Sequence, residues 1–323
     1  MTTTEIIIVA LVLTMAFIAI IFFIKEQVRS IRPKQDKSTS EIADEFKHKK
    51  DLQDVDKYNR NGFINGVYCY YRNLLSSEEK IAYDIILSAI KNGKKDAIIH
   101  SNNNFKPSKE RVFEIYKCVM RDHPELFRYL GQASFVETSL STYRISPFEY
   151  YADAEMKQKK VDDFIKRYIK HLSGKSNSEK IESVYNYLRK KTYYNDFAFD
   201  KIYTEPQAYD LYGCLIEGYA VCSGISKAAK YIFDHCGIKS YIVSGYLKNH
   251  KVSHAWLKVF TSGEWKYIDI TFDLGKGEPK FFLVDEQTLR KKRLWLEDDH
   301  LYKTFKELKE KCEALGIYDD FDD

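Results

Sequence analysis

The sequence predicts an α+β fold in which one helix packs on an antiparallel sheet, and two patterns support this prediction. Apolar residues recur at the spacing of one helical face from residue 221 onward, and these are Val221, Ile225, Ala228, Ile232 and Cys236. Residues 252–260 and 265–272 are then rich in β-branched and aromatic residues, with a turn-like Thr-Ser-Gly-Glu between them. We expect a helix followed by such a hairpin to bury its apolar face against the strands.

Cys222 lies at the start of this helix, close to Gly224, and Gly237 supplies the stop. A thiol at a helix N-terminus experiences the positive end of the peptide dipoles, which favours the thiolate. The position therefore suits a nucleophilic cysteine. A cysteine in a glycine-rich helix start is also commonly a packing residue, so the position alone does not decide between the two roles.

The hairpin relates a histidine to an aspartate. If the turn is symmetric about Ser262 and Gly263, His254 lies opposite Thr271, and Asp269 takes a diagonal position on the same face. Diagonal neighbours are about 7–8 Å apart at the backbone, within reach of a hydrogen bond between His254 and Asp269. A one-residue bulge in the turn would reverse this parity. The segment thus offers a thiol, an imidazole and a carboxylate that folding can bring together.

Three segments resemble motifs of the transglutaminase-like superfamily. The sequence GYAVCSG at 218–224 is similar to the family's G-x-x-V-C-x-G, HAW at 254–256 to its H-A-W, and IDITFD at 268–273 to its V-D-x-T-W-D. The resemblance covers residues 178–286 and is fainter over 62–151. It implies a papain-like, transglutaminase-like core in which the nucleophile helix packs on an antiparallel sheet. It also implies a catalytic triad of Cys222, His254 and Asp269.

Three positions depart from the family's motifs. Ile225-Ser226 stands where the family has an aromatic–alanine pair, Leu257 stands for asparagine, and Phe272 stands for tryptophan. None is a position of the implied triad, but we expect each to alter the wall of the cleft. After the hairpin, residues 281–285 resemble the family's closing strand.

The chemistry implied by the resemblance is cysteine-dependent acyl transfer or hydrolysis on peptide or protein substrates, of protease, deamidase or transglutaminase type, without a cofactor. The alternative is an inactive module of the same fold that binds peptides or cell-envelope material. His250 precedes His254 by four residues, a spacing that brings a metal-binding pair together only on a helix. Because this segment is predicted as loop and strand, no metal site is predicted.

Charge is nearly balanced along the chain. The 323 residues include 51 Lys and Arg against 47 Asp and Glu, a net charge of +4, and 44 % hydrophobic residues are enough for a sizeable core. The two signs are interspersed and no basic cluster alternates with aromatic residues, so nucleic-acid binding is not predicted. The sequence leaves the oligomeric state open.

Residues 6–24 carry no charge, and Thr14 is their only polar member. A helix of this length spans the roughly 30 Å hydrocarbon core of a bilayer. No basic residue precedes the run and no small-residue cleavage site follows it, so a membrane anchor is expected over a signal peptide. Basic residues follow it, beginning at Lys25 and Arg29, and they place the globular part in the cytoplasm. The resemblance to secreted and surface-facing proteins argues for the extracellular side.

Helical patterns divide the remaining chain. Ser76 and Glu79 have capping-box spacing ahead of one amphipathic stripe, a second helix is predicted from Pro107-Ser108 to His123, and others cover 154–172 and 178–192. The predicted organisation is a transmembrane anchor at 1–25, a charged juxtamembrane stalk at 26–61, a helical and mixed lead-in subdomain at 62–175, a catalytic domain at 176–290, and a C-terminal helix with an acidic tail at 291–323.

Overall fold

Helices and short sheets follow one another in the computed structural model, which describes residues 62–102, 104–130, 134–139, 142–146, 149–198, 205–296 and 304–317. The strands are β1 (Phe63–Ile64), β2 (Val67–Tyr68), β3 (Ala97–His100), β4 (Ser134–Ser139), β5 (Thr142–Ser146), β6 (Tyr193–Tyr194), β7 (Tyr219–Ala220), β8 (Ser240–Leu247), β9 (Ser253–Thr261), β10 (Glu264–Ile268) and β11 (Arg293–Leu294). The helices are α1 (Tyr70–Leu74), α2 (Ser77–Lys91), α3 (Lys109–Asp122), α4 (Ala154–His171), α5 (Asn177–Lys191), α6 (Cys222–His235), α7 (Glu286–Arg290) and α8 (Phe305–Ala314). This mixture confirms the predicted α+β class.

The nucleophile helix predicted from the apolar spacing is α6, and it packs on an antiparallel sheet of strand order β10-β9-β8-β11. Ile225 and Ile232 of α6 are fully buried in one cluster with Ile242 of β8 and Leu257 of β9. Complete burial of one such side chain contributes about 1.5–3 kcal/mol to stability. The apolar stripe of α6 therefore fixes the helix on this face of the sheet.

The β9–β10 hairpin has the symmetric turn expected from the sequence. Ser262 and Gly263 both have positive φ angles, 52° and 87°, as a two-residue type I′ turn requires. The register is not shifted by a bulge, since each residue from Glu264 to Ile268 has its partner in β9. Continued by one residue, this register places Asp269 diagonally from His254, as predicted.

The expected pairing of His254 with Thr271 is wrong, because β10 ends at Ile268 and Thr271 begins a 3₁₀ turn, Thr271–Asp273. The buried Asp273 side chain accepts hydrogen bonds from the backbone N–H groups of Lys280 and Phe281. These bonds require the chain to turn back after β10, so the strand cannot continue as far as the sequence pattern suggests.

The closing strand expected at 281–285 is reduced to a single bridge between Val284 and Tyr267. Leu283, the residue before this bridge, has a φ of +53°. A left-handed backbone conformation interrupts an extended strand. The segment still lies beside β10, because Asp269 donates its N–H to the carbonyl of Phe281.

The lead-in region shares a hydrophobic core with the other face of the central sheet. Ile86 of α2 and Ile115 of α3 are buried in one cluster with Val243 of β8 and Trp256 of β9. Strands β3, β5 and β4 form a separate three-stranded sheet within this region. Helices α2 and α3 thus pack against the sheet that carries His254, so the lead-in region is positioned to shape the surroundings of the site.

The helix starts agree with the capping signals. Ser76 accepts a hydrogen bond from the N–H of Glu79, and Glu79 accepts one from the N–H of Ser76, which confirms the predicted capping box of α2. Ser108 caps α3 in the same way through the N–H of Arg111. These short-range signals define where the lead-in helices begin.

The proposed membrane segment at 6–24 and the stalk at 26–61 lie outside the described residues. Within the described residues, no helix combines the length and the apolar character needed to cross a bilayer.

Candidate active site

Cys222 is the first residue of α6, and the residue before it, Val221, offers no side-chain cap. The N–H groups of the first helical turn have no acceptor within the helix. They face the same end of the helix as the thiol, which is half-buried. Every one of the six cysteines is a free thiol, and Cys222 and Cys236 are the two that are not fully buried.

The start of α6 is held against the 3₁₀ turn Pro206–Tyr209. Val221 donates its N–H to the carbonyl of Ala208 at 2.9 Å. A Cβ atom at Gly224 would lie only 2.4 Å from the Ala208 carbonyl oxygen and 2.8 Å from the Asp210 carbonyl oxygen. Only glycine allows this approach, so Gly224 fixes the position of the helix start that carries Cys222.

His254 and Asp269 are in direct contact. The Nε2 atom of His254 lies 2.8 Å from Oδ2 of Asp269, and both residues are buried. The Cys222 thiol lies within hydrogen-bonding reach of the His254 ring, whose remaining nitrogen is Nδ1. The structure thus brings together all three residues that the sequence singled out.

His254 and Asp269 each stabilise the charged form of the other. Burial alone would lower the pKa of His254, but the Asp269 carboxylate and the contact with Cys222 outweigh it and raise this pKa to about 9. Burial acts to raise the pKa of Asp269, yet the neighbouring His254 and Arg293 outweigh it and lower this pKa. The His254 imidazole is therefore held as the imidazolium near neutral pH.

Arg293 is a site residue that the sequence pattern did not indicate. Its side chain is fully buried, and both Nε, at 2.9 Å, and Nη2 donate to the same Oδ2 atom of Asp269 that contacts His254. The guanidinium carbon lies 4.6 Å from the centre of the Phe272 ring and 4.3 Å from that of Phe281. In the sequence, Arg293 ends a Lys-Lys-Arg run that is typical of an exposed surface, so no local signal distinguished it.

Phe272 lines the site at the position where the family motif has tryptophan. Its ring meets the His254 ring edge to face at 5.2 Å, and the Trp256 ring stacks on the His254 ring at 5.7 Å. The smaller aromatic residue therefore still contacts the imidazole. It also lies against Arg293, so that one ring contacts two of the groups that surround Asp269.

Tyr194 meets the helix start from strand β6. Its register partner in β7 is Ala220, two residues before Cys222. The Tyr194 hydroxyl oxygen accepts from the backbone N–H of Cys222, and burial raises the pKa of this hydroxyl. The hydroxyl thus marks a position at which an oxygen atom can bind to the N-terminus of α6.

Groups of three or more His, Cys, Asp or Glu side chains suited to holding a metal ion do not occur among the described residues. A thiol beside an imidazolium, which in turn contacts a carboxylate, is an arrangement that generates a nucleophilic thiolate.

Comparison with known proteins gives one match to a family model. Residues 165–270 match the model of the Transglutaminase-like superfamily. No curated protein matches the chain. This family match contains Cys222, His254 and Asp269, the last of them one residue before its end.

Two solved structures are similar to parts of the chain. A crystal structure of a TGase is 20 % identical, with a TM-score of 0.31, over 49 % of this chain and 48 % of its own. The structure of a candidate cysteine protease from Cytophaga hutchinsonii is 14 % identical, with a TM-score of 0.29, over 44 % of this chain and 62 % of its own. The chain thus spans about half to three fifths of the length of these proteins. The family model matches residues 165–270, and this segment therefore resembles the transglutaminase-like superfamily.

Proposed function

We propose that the protein is an enzyme that uses Cys222 for acyl transfer or hydrolysis on peptide or protein substrates. The observation that carries this proposal is the series of contacts from the Cys222 thiol to the His254 ring and from that ring to Asp269. These contacts occur at a helix N-terminus in a transglutaminase-like segment, where a thiolate is favoured.

In the proposed reaction, the Cys222 thiolate attacks the carbonyl carbon of a carboxamide or peptide bond. The imidazolium of His254 then gives its proton to the nitrogen of the leaving amine as the carbon–nitrogen bond breaks, which leaves a thioester on Cys222. Asp269 fixes the orientation of the imidazole through its contact with Nε2. His254, now neutral, accepts a proton from the water or amine that attacks the thioester. Cleavage of the carbon–sulfur bond then releases the product and restores the thiolate–imidazolium pair.

The tetrahedral intermediates carry a negative oxygen that needs hydrogen-bond donors. The N–H groups of the first turn of α6, which have no acceptor within the helix, are the donors available to this oxygen. The Tyr194 hydroxyl, which lies at the Cys222 N–H, would have to yield this position or donate its own proton to the oxyanion. Either role makes Tyr194 part of the proposed site.

The choice between water and an amine as the second reactant separates a protease or deamidase from a cross-linking enzyme. The same three side chains serve both outcomes. Conversion of a glutamine to glutamate, or the appearance of a new N-terminus, in a glutamine-containing protein without added amine would indicate hydrolysis. Incorporation of a labelled amine into that protein would indicate transfer.

Selective alkylation tests the proposal against a binding module without turnover. Cys222 and Cys236 are both half-exposed thiols at opposite ends of α6, so Cys236 serves as an internal control. Burial raises the pKa of Cys236, whereas Cys222 has the imidazolium and the helix N-terminus beside it. With iodoacetamide near neutral pH, we expect Cys222 to react about tenfold faster or more, as measured by peptide mass spectrometry.

The same experiment on the His254→Ala variant completes the test. Loss of the imidazolium should reduce the rate at Cys222 to about that at Cys236, without changing the rate at Cys236. Equal rates at both cysteines in the unaltered protein, independent of His254, would reject the enzyme and leave the binding module as the function.

We also propose that residues 6–24 anchor the protein in a membrane, with the globular part on the cytoplasmic side. The support is the uncharged run and the basic residues that follow it. Extraction of the full-length protein by alkaline carbonate, which releases peripheral proteins, would reject the anchor. Digestion of the globular part by a protease added outside intact cells would reject the cytoplasmic side.

A further inference from the structure

A cavity of about 320 Å³ lies beside the candidate active site, between the lead-in region and the nucleophile helix. Ser223 and Ala255 line it, and these residues directly follow Cys222 and His254. The opposite wall comes from α3 and from the 3₁₀ turn Pro124–Arg128. The lead-in region therefore contributes to a space that begins one residue from the nucleophile.

Two cations of this cavity take part in no salt bridge among the described residues. They are Arg121 from α3, whose guanidinium carbon lies 5.3 Å from the centre of the Tyr71 ring, and Lys227 from α6, whose charge interacts with that of Asp210. The Nη1 atom of Arg121 is buried and has no hydrogen-bond partner in the described part of the chain. Lys227 donates from Nζ to the carbonyl of Tyr209 at 3.0 Å. The third cation of the lining, Lys117, differs because it pairs with Glu114 at 2.6 Å.

Asp210 is the one carboxylate among the residues that line the cavity. Its Oδ1 atom already accepts the N–H of Tyr212 at 2.7 Å, and its Oδ2 atom accepts the Tyr151 hydroxyl at 3.3 Å. Burial raises the pKa of Asp210 to about 7, with Lys227 opposing this effect. Burial likewise lowers the pKa of Lys227, with Asp210 opposing this effect. Because Arg121, Lys227 and Lys117 line the cavity with Asp210 as the one carboxylate, the lining has an excess of cationic side chains.

The remaining walls are mainly apolar, including the side chains of Met120 and Phe127. A buried cation without an anion is costly, and a carboxylate that enters such a space gains charge-assisted hydrogen bonds. A glutamate or aspartate side chain offers both features, because its methylene groups suit the apolar walls and its carboxylate suits the cations.

The distance from Cys222 to Lys227 along α6 suits a substrate residue close to the one that Cys222 attacks. Cys222 and Lys227 are five residues apart and hence about 7.5 Å apart along the helix axis. Two residues of extended peptide span about 7 Å, so a substrate residue two positions before the one acylated at Cys222 comes level with Lys227. The acyl part of the substrate stays attached to Cys222 through both chemical steps, so a pocket on that side can select the substrate throughout the reaction.

We propose that this cavity is a specificity pocket for an acidic side chain, one or two residues before the residue whose carbonyl carbon Cys222 attacks. The proposal rests on the proposed function of Cys222. It assigns Arg121 and Lys227 to recognition of the carboxylate, and it assigns the lead-in region to the substrate-binding wall.

Peptidyl chloromethyl ketones test the pocket, because they alkylate an active-site cysteine after binding as the acyl part of a substrate. The probes are N-acetyl tripeptide chloromethyl ketones that differ only by Glu, Gln or Lys at the first or second position. The rate of covalent modification of Cys222 in the full-length protein is followed by mass spectrometry. We expect the Glu probe to react about tenfold faster than the Gln probe, with the Lys probe slowest.

Variants assign this preference to the two cations. Arg121→Met and Lys227→Met should each remove most of the difference between the Glu and Gln probes, and Arg121→Lys should keep part of it. Lys239→Met is the matched control, because Lys239 lies over the Phe260 ring and does not line the cavity. It should leave the preference unchanged. Alkylation of Cys236 by iodoacetamide reports whether each variant keeps the folded helix α6.

The outcomes separate this inference from the proposed function. If none of the probes modifies Cys222, the enzymatic function itself is wrong. If all probes modify Cys222 at one rate, or if the Glu preference survives in both methionine variants, the acidic-pocket inference is wrong while the function stands.

Discussion

Arg293 and His254 contact the same oxygen of Asp269. The Oδ2 atom lies 2.8 Å from Nε2 of His254 and 2.9 Å from Nε of Arg293, while Oδ1 accepts the N–H of Phe272. Because Arg293 is fully buried, solvent does not screen its charge from the carboxylate. The positive charge of Arg293 therefore stabilises the ionised Asp269. It also offsets part of the negative charge that raises the pKa of His254.

Replacement of Arg293 by methionine should raise the pKa of His254 above its value of about 9, because Asp269 would then share its charge with the imidazolium alone. The variant should also lose about 3–5 kcal/mol of the free energy of unfolding, as expected when one partner of a buried ion pair is removed. A denaturant titration gives the free energy, and NMR of ¹³C-labelled histidine gives the titration of His254, identified by the signal missing from His254→Ala.

Arg290→Met is the control for this substitution. Arg290 stacks over Trp295 and pairs with Glu286 on the half-exposed helix α7, so its loss should leave the His254 titration unchanged. A purely structural role of Arg293 would lower stability without moving the His254 pKa. That outcome would contradict the influence of Arg293 on the imidazole.

The relation between His254 and Asp269 could be predicted from the sequence, whereas Arg293 could not. Strand parity across a two-residue turn determines which side chains share a face, so residues 254 and 269 follow from the pattern alone. Arg293 reaches Asp269 because the two-residue strand β11 pairs with β8. In this pairing Arg293 lies opposite Leu247, which is forty-six residues earlier in the chain. Such a pairing depends on the tertiary fold, and a Lys-Lys-Arg run gives no sign of it.

The irregular elements near the site also could not be predicted from patterns in the sequence. Strand β6 and the 3₁₀ turns Asp196–Ala198 and Pro206–Tyr209 come between α5 and α6, and the π-helix Gly213–Glu217 follows them. These pieces are stabilised by contacts such as that of Ala208 with Val221, which join distant parts of the chain. The amphipathic helices were predictable because their apolar spacing and capping residues are local.

The raised pKa of His254 predicts the pH dependence of the site. A group whose pKa is higher in the folded state contributes stability that is complete below the unfolded value and is lost as the pH rises through the folded value. For His254 these values are 6.5 and about 9. The free energy of unfolding should therefore fall across this range, and cleavage of a peptide amide should decline above about pH 9 because the leaving amine no longer receives a proton.

Two comparisons check this pH dependence. Alkylation of Cys222 by iodoacetamide has no leaving amine, so it should not decline above the pKa of His254. In Asp269→Asn, the anion that raises the His254 pKa is absent, and the histidine NMR titration should shift to lower pH. An unchanged titration in this variant would show that Asp269 does not set the charge of His254.

Gly224→Ala should destabilise the start of α6. The added methyl group would meet two backbone carbonyl oxygens at 2.4 and 2.8 Å, and backbone cannot move aside as a flexible side chain does. We expect a loss of about 1–3 kcal/mol in the free energy of unfolding and slower alkylation of Cys222. Gly277→Ala is the control, since a Cβ atom there meets no heavy atom within 4 Å. Equal stability of the two variants would contradict the close approach of α6 to residues 208 and 210.

Lys230→Met should weaken the contact between the lead-in region and the nucleophile helix. The fully buried Lys230 donates to Asp234 at 2.8 Å and to the carbonyl of Tyr68 at 3.1 Å, while Asp234 accepts the N–H of Tyr68. Its removal would leave a buried carboxylate without a cation, and we expect a loss of about 3–5 kcal/mol in the free energy of unfolding, measured by denaturant titration.

The pH dependence of this loss identifies its cause. Burial raises the pKa of Asp234 to about 7 although Lys230 opposes the rise, so without Lys230 this pKa should be higher still. A carboxylate with a raised pKa contributes stability at low pH that is lost as the pH rises through the folded value. Lys230→Met should thus be less destabilising under mildly acidic conditions than under alkaline ones. The double variant Lys230→Met/Asp234→Asn removes the charge but keeps the acceptor for Tyr68, and it should recover much of the stability. If the double variant is as unstable as Lys230→Met at every pH, the loss comes from packing and the buried charge is not its cause.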